Sequence, residues 1–244
     1  MLYHLLTTNS IQKMRKMLEN YKSYIPNIHK DGYLVILLSV IGDLVLFSLS
    51  NTLGWLGLIA TILCVFFFRD PDRVTPQDDD LVVSPADGVV VQIAPGASLP
   101  KELGLEGGVT KISIFLNILD VHVNRIPVTG VVLALHYTPG KFFNASLDKS
   151  SEHNERQAIL IETKCGKKIG VVQIAGVIAR RIVCDLQLNQ AVVGGQKFGI
   201  IRFGSRVDLY LPSNLTPQVL VGQKMTGGET IIAKFSNTIT PKCL

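Results

Sequence analysis

The apolar and polar positions divide the 244-residue chain into three stretches of different periodicity. In residues 10–22, apolar side chains recur at helical spacing with lysines on the other flank, which is typical of a basic helix lying on a membrane surface. Residues 33–68 are almost continuously apolar. From residue 70 onward, short β-branched runs alternate with Gly, Pro and Asn. The pattern predicts a helical N-terminal segment and a β-rich body.

The apolar stretch predicts a membrane-associating hairpin of two arms. Asp43 and the polar pair Asn51-Thr52 interrupt it, and the pair marks a turn. The second arm, residues 53–68, would extend about 24 Å at about 1.5 Å per residue, less than a hydrocarbon core of about 30 Å. A shallow or re-entrant hairpin and two full crossings therefore both remain open, and a buried helical hairpin in a soluble core is the less favoured alternative.

The formal charge of +5 is concentrated near the N-terminus, which favours anionic lipid over nucleic acid as a partner. Basic residues also follow the apolar stretch, so the positive-inside rule places both of its ends, and the body, on the cytoplasmic face of the cell membrane. A secretory signal is disfavoured because the apolar region starts late and is long. The basic residues are Lys13, Arg15, Lys16, Lys22 and Lys30 before the stretch, and Arg69 and Arg73 after it.

The body is predicted to be mainly β, with barrel-sandwich-like antiparallel sheets. We place the domain boundary between 1–69, the membrane-associating part, and 70–244. No glycine pattern of a nucleotide-binding loop occurs. The predicted strands are residues 81–83, 88–93, 110–116, 130–137, 158–163, 168–174 and 200–211.

Residues 84–90 and 219–233 are similar to the hairpins of biotinyl or lipoyl carrier domains, in which an exposed lysine is modified. Lys224 is the candidate, but a polar hairpin lysine is usually just solvated, so a carrier role is disfavoured. Four widely spaced cysteines, without a Cys-x-x-Cys pair, indicate neither a metal site nor a disulfide scaffold, and we expect reduced thiols.

Polar residues that could carry chemistry lie beside the predicted strands. Asp120, His122 and Asn124 alternate with apolar residues, so they would share one strand face. Gly204-Ser205 lies within the apolar run 200–211, where a serine after an unhindered carbonyl can attack its own chain. Taken alone, the dipeptide favours a bulge or turn between two strands.

Six short motifs follow one another along the chain. They are Phe68-Arg69-Asp70-Pro71, Ser84-Pro85-Ala86-Asp87-Gly88, Asp120-Val121-His122-Val123-Asn124-Arg125, Pro139-Gly140-Lys141-Phe142, Asn154-Glu155-Arg156 and Phe203-Gly204-Ser205. Phosphatidylserine decarboxylases have these motifs in this order, and the chain resembles the short bacterial and archaeal-type branch of that family. The resemblance covers most of residues 33–235.

The resemblance implies a proenzyme that cuts itself between Gly204 and Ser205 into subunits 1–204 and 205–244. Ser205 would become a covalent pyruvoyl group, the electron sink for decarboxylation of phosphatidylserine in the membrane to phosphatidylethanolamine. The resemblance leaves open whether the processed heterodimer assembles into a homo-oligomer. Two alternatives are a pyruvoyl-dependent decarboxylase of another amino-acid-bearing substrate, and a non-catalytic carrier or scaffold.

The resemblance also implies roles for three side chains near the cleavage site. His122 would move protons, and Asp87 would orient or charge it. Longer bacterial members have a second histidine where this chain has Arg125, and arginine cannot act as a base at neutral pH. Either His122 serves both maturation and decarboxylation, or a group such as Asp87 acts in maturation. Arg125 is instead a candidate to bind the substrate carboxylate or phosphate.

Overall fold

The structure is a computed structural model that describes residues 26–97, 100, 103, 108–140, 154–176, 181–202 and 204–235. It divides into two compact units, residues 1–72 and 73–244. The predicted amphipathic helix at 10–22 lies outside the described residues, as do Lys141, Phe142 and Phe203 of the family motifs.

The first unit contains two apolar helices separated by Ser50 alone, which confirms the two predicted arms. The break precedes the predicted turn by one residue, because Ser50 is extended (φ −165°, ψ 135°) and the second helix begins at the next residue. Two short antiparallel strands pair the segments before and after the hairpin. The elements are β1 (Asn27–Ile28), a 3-10 turn (Lys30–Gly32), α1 (Tyr33–Leu49), α2 (Asn51–Phe67) and β2 (Arg69–Asp70).

The two helices pack closely because glycines of α2 face large or polar side chains of α1. A Cβ on Gly54 would overlap the Phe47 ring, and one on Gly57 would overlap the Asp43 carboxylate. Asp43 is therefore buried, whereas many large apolar side chains of both helices are exposed. The helical segment Lys30–Leu49 is long and apolar enough to cross a membrane, judged by length and composition, and α2 is shorter. This exposed apolar surface is compatible with membrane association.

The described part of the second unit consists mainly of antiparallel strands, which confirms the predicted β-rich body. The strands are β3 (Leu81–Val83), β4 (Gly88–Ala97), β5 (Val109–Leu116), β6 (Val123–Arg125), β7 (Gly130–Thr138), β8 (Arg156–Glu162), β9 (Lys168–Ala175), β10 (Ile182–Cys184), β11 (Ala191–Val192), β12 (Lys197–Ile201), β13 (Ser205–Pro212), β14 (Lys224–Met225) and β15 (Ile231–Lys234).

These strands form one large sheet and two small ones. The large sheet has the order β11-β7-β8-β9-β13-β5-β4-β14, a second sheet has the order β10-β12-β6, and β15 pairs with β3. Side chains of β5, β9 and β13 alternate between two hydrophobic clusters on opposite faces of the large sheet. Val207 and Leu209 lie in the larger cluster with Phe198 and Ile201 of β12, whereas Tyr210 lies in the smaller one. The second sheet therefore covers the first of these two faces.

The predicted strand 200–211 is wrong in one respect: it is two strands in different sheets. β12 ends at Ile201 in the second sheet, and β13 begins at Ser205 in the large one. Between them Gly204 has a φ of +60°, a left-handed conformation that interrupts a strand and that glycine adopts without strain. The Gly204–Ser205 bond thus lies where the chain passes from one sheet to the other.

The expectation of four reduced thiols is also wrong. Cys64 and Cys184 are free, but Cys165 is disulfide-bonded. Cys165 lies in the exposed turn between β8 and β9, where another cysteine can reach its thiol. The spacing of cysteines along the chain does not show which thiols meet in the fold, so the sequence did not predict this bond. Burial raises the pKa of the Cys184 thiol.

Gly130 is required at the start of β7 because a Cβ there would overlap the carbonyl oxygen of Glu162 on β8. Gly130→Ala should lower the free energy of unfolding by about 1–3 kcal/mol, the cost of overpacking against a backbone that is fixed by its sheet. The measurement is chemical denaturation of the full chain in detergent. Gly108→Ala is the matched control, since its Cβ would meet only Ser213 at 3.8 Å. Equal stability of the two variants would contradict the assignment.

Candidate active site

Ser205 is the first residue of the central strand of the large sheet. It lies opposite Leu116 of β5 and Ala175 of β9 and is fully buried. Its hydroxyl oxygen makes no hydrogen bond to any group that the structure describes. Because buried hydroxyls normally have partners, such a group requires an explanation, and readiness to react is one.

Gly204 directly precedes Ser205 and has a left-handed backbone conformation. A Cβ at Gly204 would meet no atom within 4 Å, so space does not restrict the residue type. The positive φ does restrict it, because side-chain-bearing residues are strained there. Glycine therefore has two roles at this position. It allows the left-handed turn that leads the backbone into Ser205, and, as predicted, it has no side chain that could block the attack.

His122 lies immediately before β6 and is fully buried. Its Nδ1 is 3.0 Å from the carbonyl oxygen of Asp120, and its own carbonyl oxygen accepts a hydrogen bond from the Ile201 N–H at 3.4 Å. A carbonyl oxygen can only accept, so the proton of a neutral ring is on Nδ1, and Nε2 is the basic nitrogen. The contact with Ile201 connects His122 to the end of β12, four residues before Ser205.

Asn124 and Gln173 form a buried amide pair beside these residues. The Gln173 Nε2 donates to the Asn124 Oδ1 at 2.8 Å, and both side chains are fully buried. Asp120, His122 and Asn124 are all buried, but the prediction that they share one strand face is wrong. Only Asn124 lies in a strand, because β5 ends at Leu116 and the Asp120 N–H closes a turn by donating to the Asn117 carbonyl oxygen at 3.0 Å. Sequence reasoning missed Gln173. Its signal was a single polar residue inside the otherwise apolar strand β9.

Asp87 is held by two donors, one on each carboxylate oxygen. Arg73 Nη2 donates to Oδ2 at 2.8 Å, and the Gly227 N–H donates to Oδ1 at 2.7 Å. Arg73 also lies 3.8 Å from Glu229, so this cluster joins the chain before β3 to the turn after β14. The predicted role of Asp87 in orienting His122 stays a prediction.

Arg125 reaches the same turn as Asp87. It is buried, its Nη1 donates to the carbonyl oxygen of Gly195 at 2.9 Å, and its Cδ lies where a Cβ on Gly228 would overlap it. The structure therefore brings Arg125 and Asp87 to neighbouring residues of one glycine turn, Gly227-Gly228. Asp87 and Arg125 are distant along the chain, and the cation that contacts the Asp87 carboxylate is Arg73.

The end of β9 opposite Ser205 is fixed by the Asn154-Glu155 pair. Asn154 Nδ2 donates to the Ala175 carbonyl oxygen at 2.7 Å, and the Ala175 N–H donates to the Glu155 carbonyl oxygen at 2.9 Å. The Glu155 carboxylate accepts from the Ile182 N–H at 3.2 Å. Loss of hydration, and then the neighbouring Glu155, raise the pKa of Tyr137. The motif at 154–156 is thus a structural support of the candidate site.

A family model described as phosphatidylserine decarboxylase matches residues 60–233. The chain belongs to this family. Proteins named phosphatidylserine decarboxylase proenzyme from Rickettsia typhi and Rickettsia prowazekii are each 54% identical to it over 224 residues, 91% of this chain and 96% of theirs. One with the same name from Rickettsia akari is 54% identical over 219 residues. The resemblance inferred from the motifs is confirmed.

As a member of the phosphatidylserine decarboxylase family, the chain is an enzyme of the carboxy-lyase class. The matched residues include Asp87, His122, Arg125 and both sides of the Gly204–Ser205 bond. Lys224 is exposed in the edge strand β14, opposite Val89, rather than at a hairpin tip, which disfavours the carrier alternative. Within the described ranges, no group of three or more metal-ligating side chains lies together.

Proposed function

We propose that this chain is a proenzyme that cuts itself between Gly204 and Ser205 and then decarboxylates phosphatidylserine to phosphatidylethanolamine with a pyruvoyl group made from Ser205. The observation that carries the proposal is the Ser205 hydroxyl, which is buried directly after the left-handed Gly204 and makes no hydrogen bond with the described residues. Family membership and the name of the relatives support the reaction.

Maturation begins with an acyl shift within the chain. The Ser205 Oγ bonds to the Gly204 carbonyl carbon, the bond from that carbon to the Ser205 nitrogen breaks, and the hydroxyl proton moves to this nitrogen. The product is an ester with a free amine at Ser205. Gly204 has no side chain to hinder this attack, and no atom lies within 4 Å of the position that its Cβ would take.

An elimination then divides the chain. A base removes the Ser205 α-proton, the bond from Cβ to Oγ breaks, and Gly204 leaves as a carboxylate. Water replaces the nitrogen of the resulting dehydroalanine, ammonia leaves, and a pyruvoyl group remains at the start of β13. We assign the base to His122, since its bond to the Asp120 carbonyl leaves Nε2 as the basic nitrogen.

The residues around Ser205 fit this group, which needs a buried serine, an accessible preceding carbonyl and a nearby base. When formed, the pyruvoyl ketone supplies the electron sink for decarboxylation. His122 would hold at Nε2 the proton that replaces the lost carboxylate. Arg125 is proposed to bind the phosphate or carboxylate of the substrate, because its guanidinium is planar and permanently charged.

The apolar hairpin in 1–69 is proposed to hold the enzyme on the cytoplasmic face of the membrane, with the decarboxylase in 70–244. Subunits 1–204 and 205–244 would stay together after cleavage. β13 pairs with both β5 and β9, while β14 pairs with β4 and β15 with β3. Separation would require these four strand pairings to break at once.

Intact mass spectrometry of the purified protein tests the maturation. We expect two fragments, 1–204 and 205–244, with the smaller one lighter by one ammonia than a fragment that begins with serine. An active preparation that contains only the undivided chain would contradict the proposal.

Carbon dioxide release tests the substrate. The protein should release carbon dioxide from vesicles that contain phosphatidylserine, but not from free serine at the same concentration. Release from free serine alone, by a fully processed protein, would favour the alternative of a soluble amino-acid substrate.

A further inference from the structure

We propose that Asn124, held by Gln173, donates the hydrogen bond that stabilises the oxyanion on Gly204 during the acyl shift. The inference rests on the proposed self-cleavage and adds a catalytic residue, Asn124, and a positioning residue, Gln173, to it.

The buried amide pair has unused hydrogen-bonding groups in either orientation of its amides. Besides the bond of 2.8 Å between them, the Asn124 Nδ2 and the Gln173 Oε1 are buried and make no hydrogen bond with the described residues. If both amides were rotated by half a turn, one NH₂ group and one carbonyl oxygen would still be left over. One NH₂ group and one carbonyl oxygen at this place are therefore without hydrogen bonds to the described residues, which is costly unless something uses them.

The strand register places this pair beside Ser205. Gln173 lies opposite Val207 and Ala175 lies opposite Ser205, so the side chains of Gln173 and Ser205 are on the same face of the large sheet. They are diagonal neighbours, whose separation of about 7–8 Å a glutamine side chain and its partner can span.

The second sheet contributes the opposite wall. Asn124 reaches Gln173 from β6, so its side chain faces the large sheet. Asn124, Gln173 and Ser205 are fully buried, so these three polar side chains border one buried region between the two sheets. His122, just before β6, is fully buried as well.

The acyl shift needs a hydrogen-bond donor for the oxyanion and an acceptor for the serine hydroxyl, and the amide pair has both. When the Ser205 Oγ bonds to the Gly204 carbonyl carbon, negative charge develops on the carbonyl oxygen, and an N–H donor fixed in a water-poor interior stabilises it strongly. The spare carbonyl oxygen of the pair can accept a hydrogen bond from the Ser205 hydroxyl and so orient the hydroxyl oxygen for attack. A neutral amide does this without a buried charge in the resting proenzyme, which would be costly.

The test follows cleavage of freshly synthesised full-length chain with time, by gel and intact mass, with and without hydroxylamine, which cleaves esters but not amides. Asn124→Leu removes the donor. Asn124→Leu combined with Gln173→Leu removes both polar partners and so avoids leaving an unpaired buried amide. Ser113→Ala, at a buried serine on the opposite face of the same sheet, is the control.

We expect cleavage to slow by about 10²–10³-fold in both the single and the double variant, as for loss of one oxyanion donor elsewhere. Hydroxylamine should release no fragments, because the block precedes the ester. The double variant should keep a thermal midpoint near that of the unaltered chain, and Ser113→Ala should cleave at the normal rate.

Three results would overturn the inference: normal cleavage of Asn124→Leu, recovery of cleavage in the double variant, or accumulation of a hydroxylamine-sensitive ester. Accumulation of the ester would show that Asn124 acts after the acyl shift. We expect that result for a His122→Ala variant, which should stop at the ester. If the unaltered chain stays intact in the same experiment, the proposed function fails as well, so the two failures are distinguishable.

Discussion

Ser205→Ala should leave the protein as one undivided chain without decarboxylase activity. Alanine has no oxygen with which to attack Gly204, so neither the ester nor the pyruvoyl group can form. The variant should fold at least as well as the original, because it removes a buried hydroxyl that makes no hydrogen bond with the described residues. Intact mass and carbon dioxide release measure the loss, and a thermal melt shows that the fold persists.

Ser205→Cys is the matched control for this loss. A thiol can also attack the carbonyl, so this variant should divide slowly, whereas the alanine variant should not divide at all. Cleavage of the alanine variant at residue 204 would show that another group cuts the chain, and the proposed chemistry of Ser205 would then be wrong.

Asp208→Ala should cause the largest loss of stability of a single substitution in β13. Arg206 and Asp208 form an ion pair on the face of β13 that lies opposite the Ser205 side, with Nε 2.8 Å from Oδ1 and Nη2 2.9 Å from Oδ2. Both side chains are at most 1% exposed. Removing the carboxylate would take this counter-charge away from the buried Arg206 guanidinium and should lower the free energy of unfolding by about 3–5 kcal/mol.

Denaturation in a Ser205→Ala background measures this loss, because the chain then unfolds as one piece. The exposed pair Lys234–Asp78 provides the control, since its two side chains are 50% and 41% exposed and the loss of this pair in Asp78→Ala should have a far smaller effect on stability. Replacing Arg206 and Asp208 together by Met and Leu should restore most of the stability. A loss no larger for Asp208→Ala than for Asp78→Ala would contradict this interpretation.

Most strands were predictable because their apolar positions are local signals. The predicted strands at 110–116 and 168–174 differ from β5 and β9 by one residue at one end. The run 200–211 was predicted as one strand because both of its halves are apolar and buried. Only the backbone angle of Gly204 shows that the chain changes sheets there, and apolar pattern does not encode that angle.

The site was predictable where a motif carried it and not where contacts between distant residues form it. Ser205 and His122 were found from their motifs. Gln173 was not, because its importance depends on a register between β9 and β13 and on Asn124 from another sheet. The meeting of Asp87 and Arg125 at the Gly227-Gly228 turn likewise depends on residues at least 38 positions apart, the distance from 87 to 125.

The central position of β13 limits the working life of each molecule. The strand that would bear the pyruvoyl group is inserted between two neighbours, so it cannot be withdrawn and replaced without unfolding the sheet. A molecule whose group has been chemically destroyed could not be repaired by a fresh 205–244 fragment from solution. Each chain would therefore mature once, and the cell would restore lost activity only by synthesising new protein.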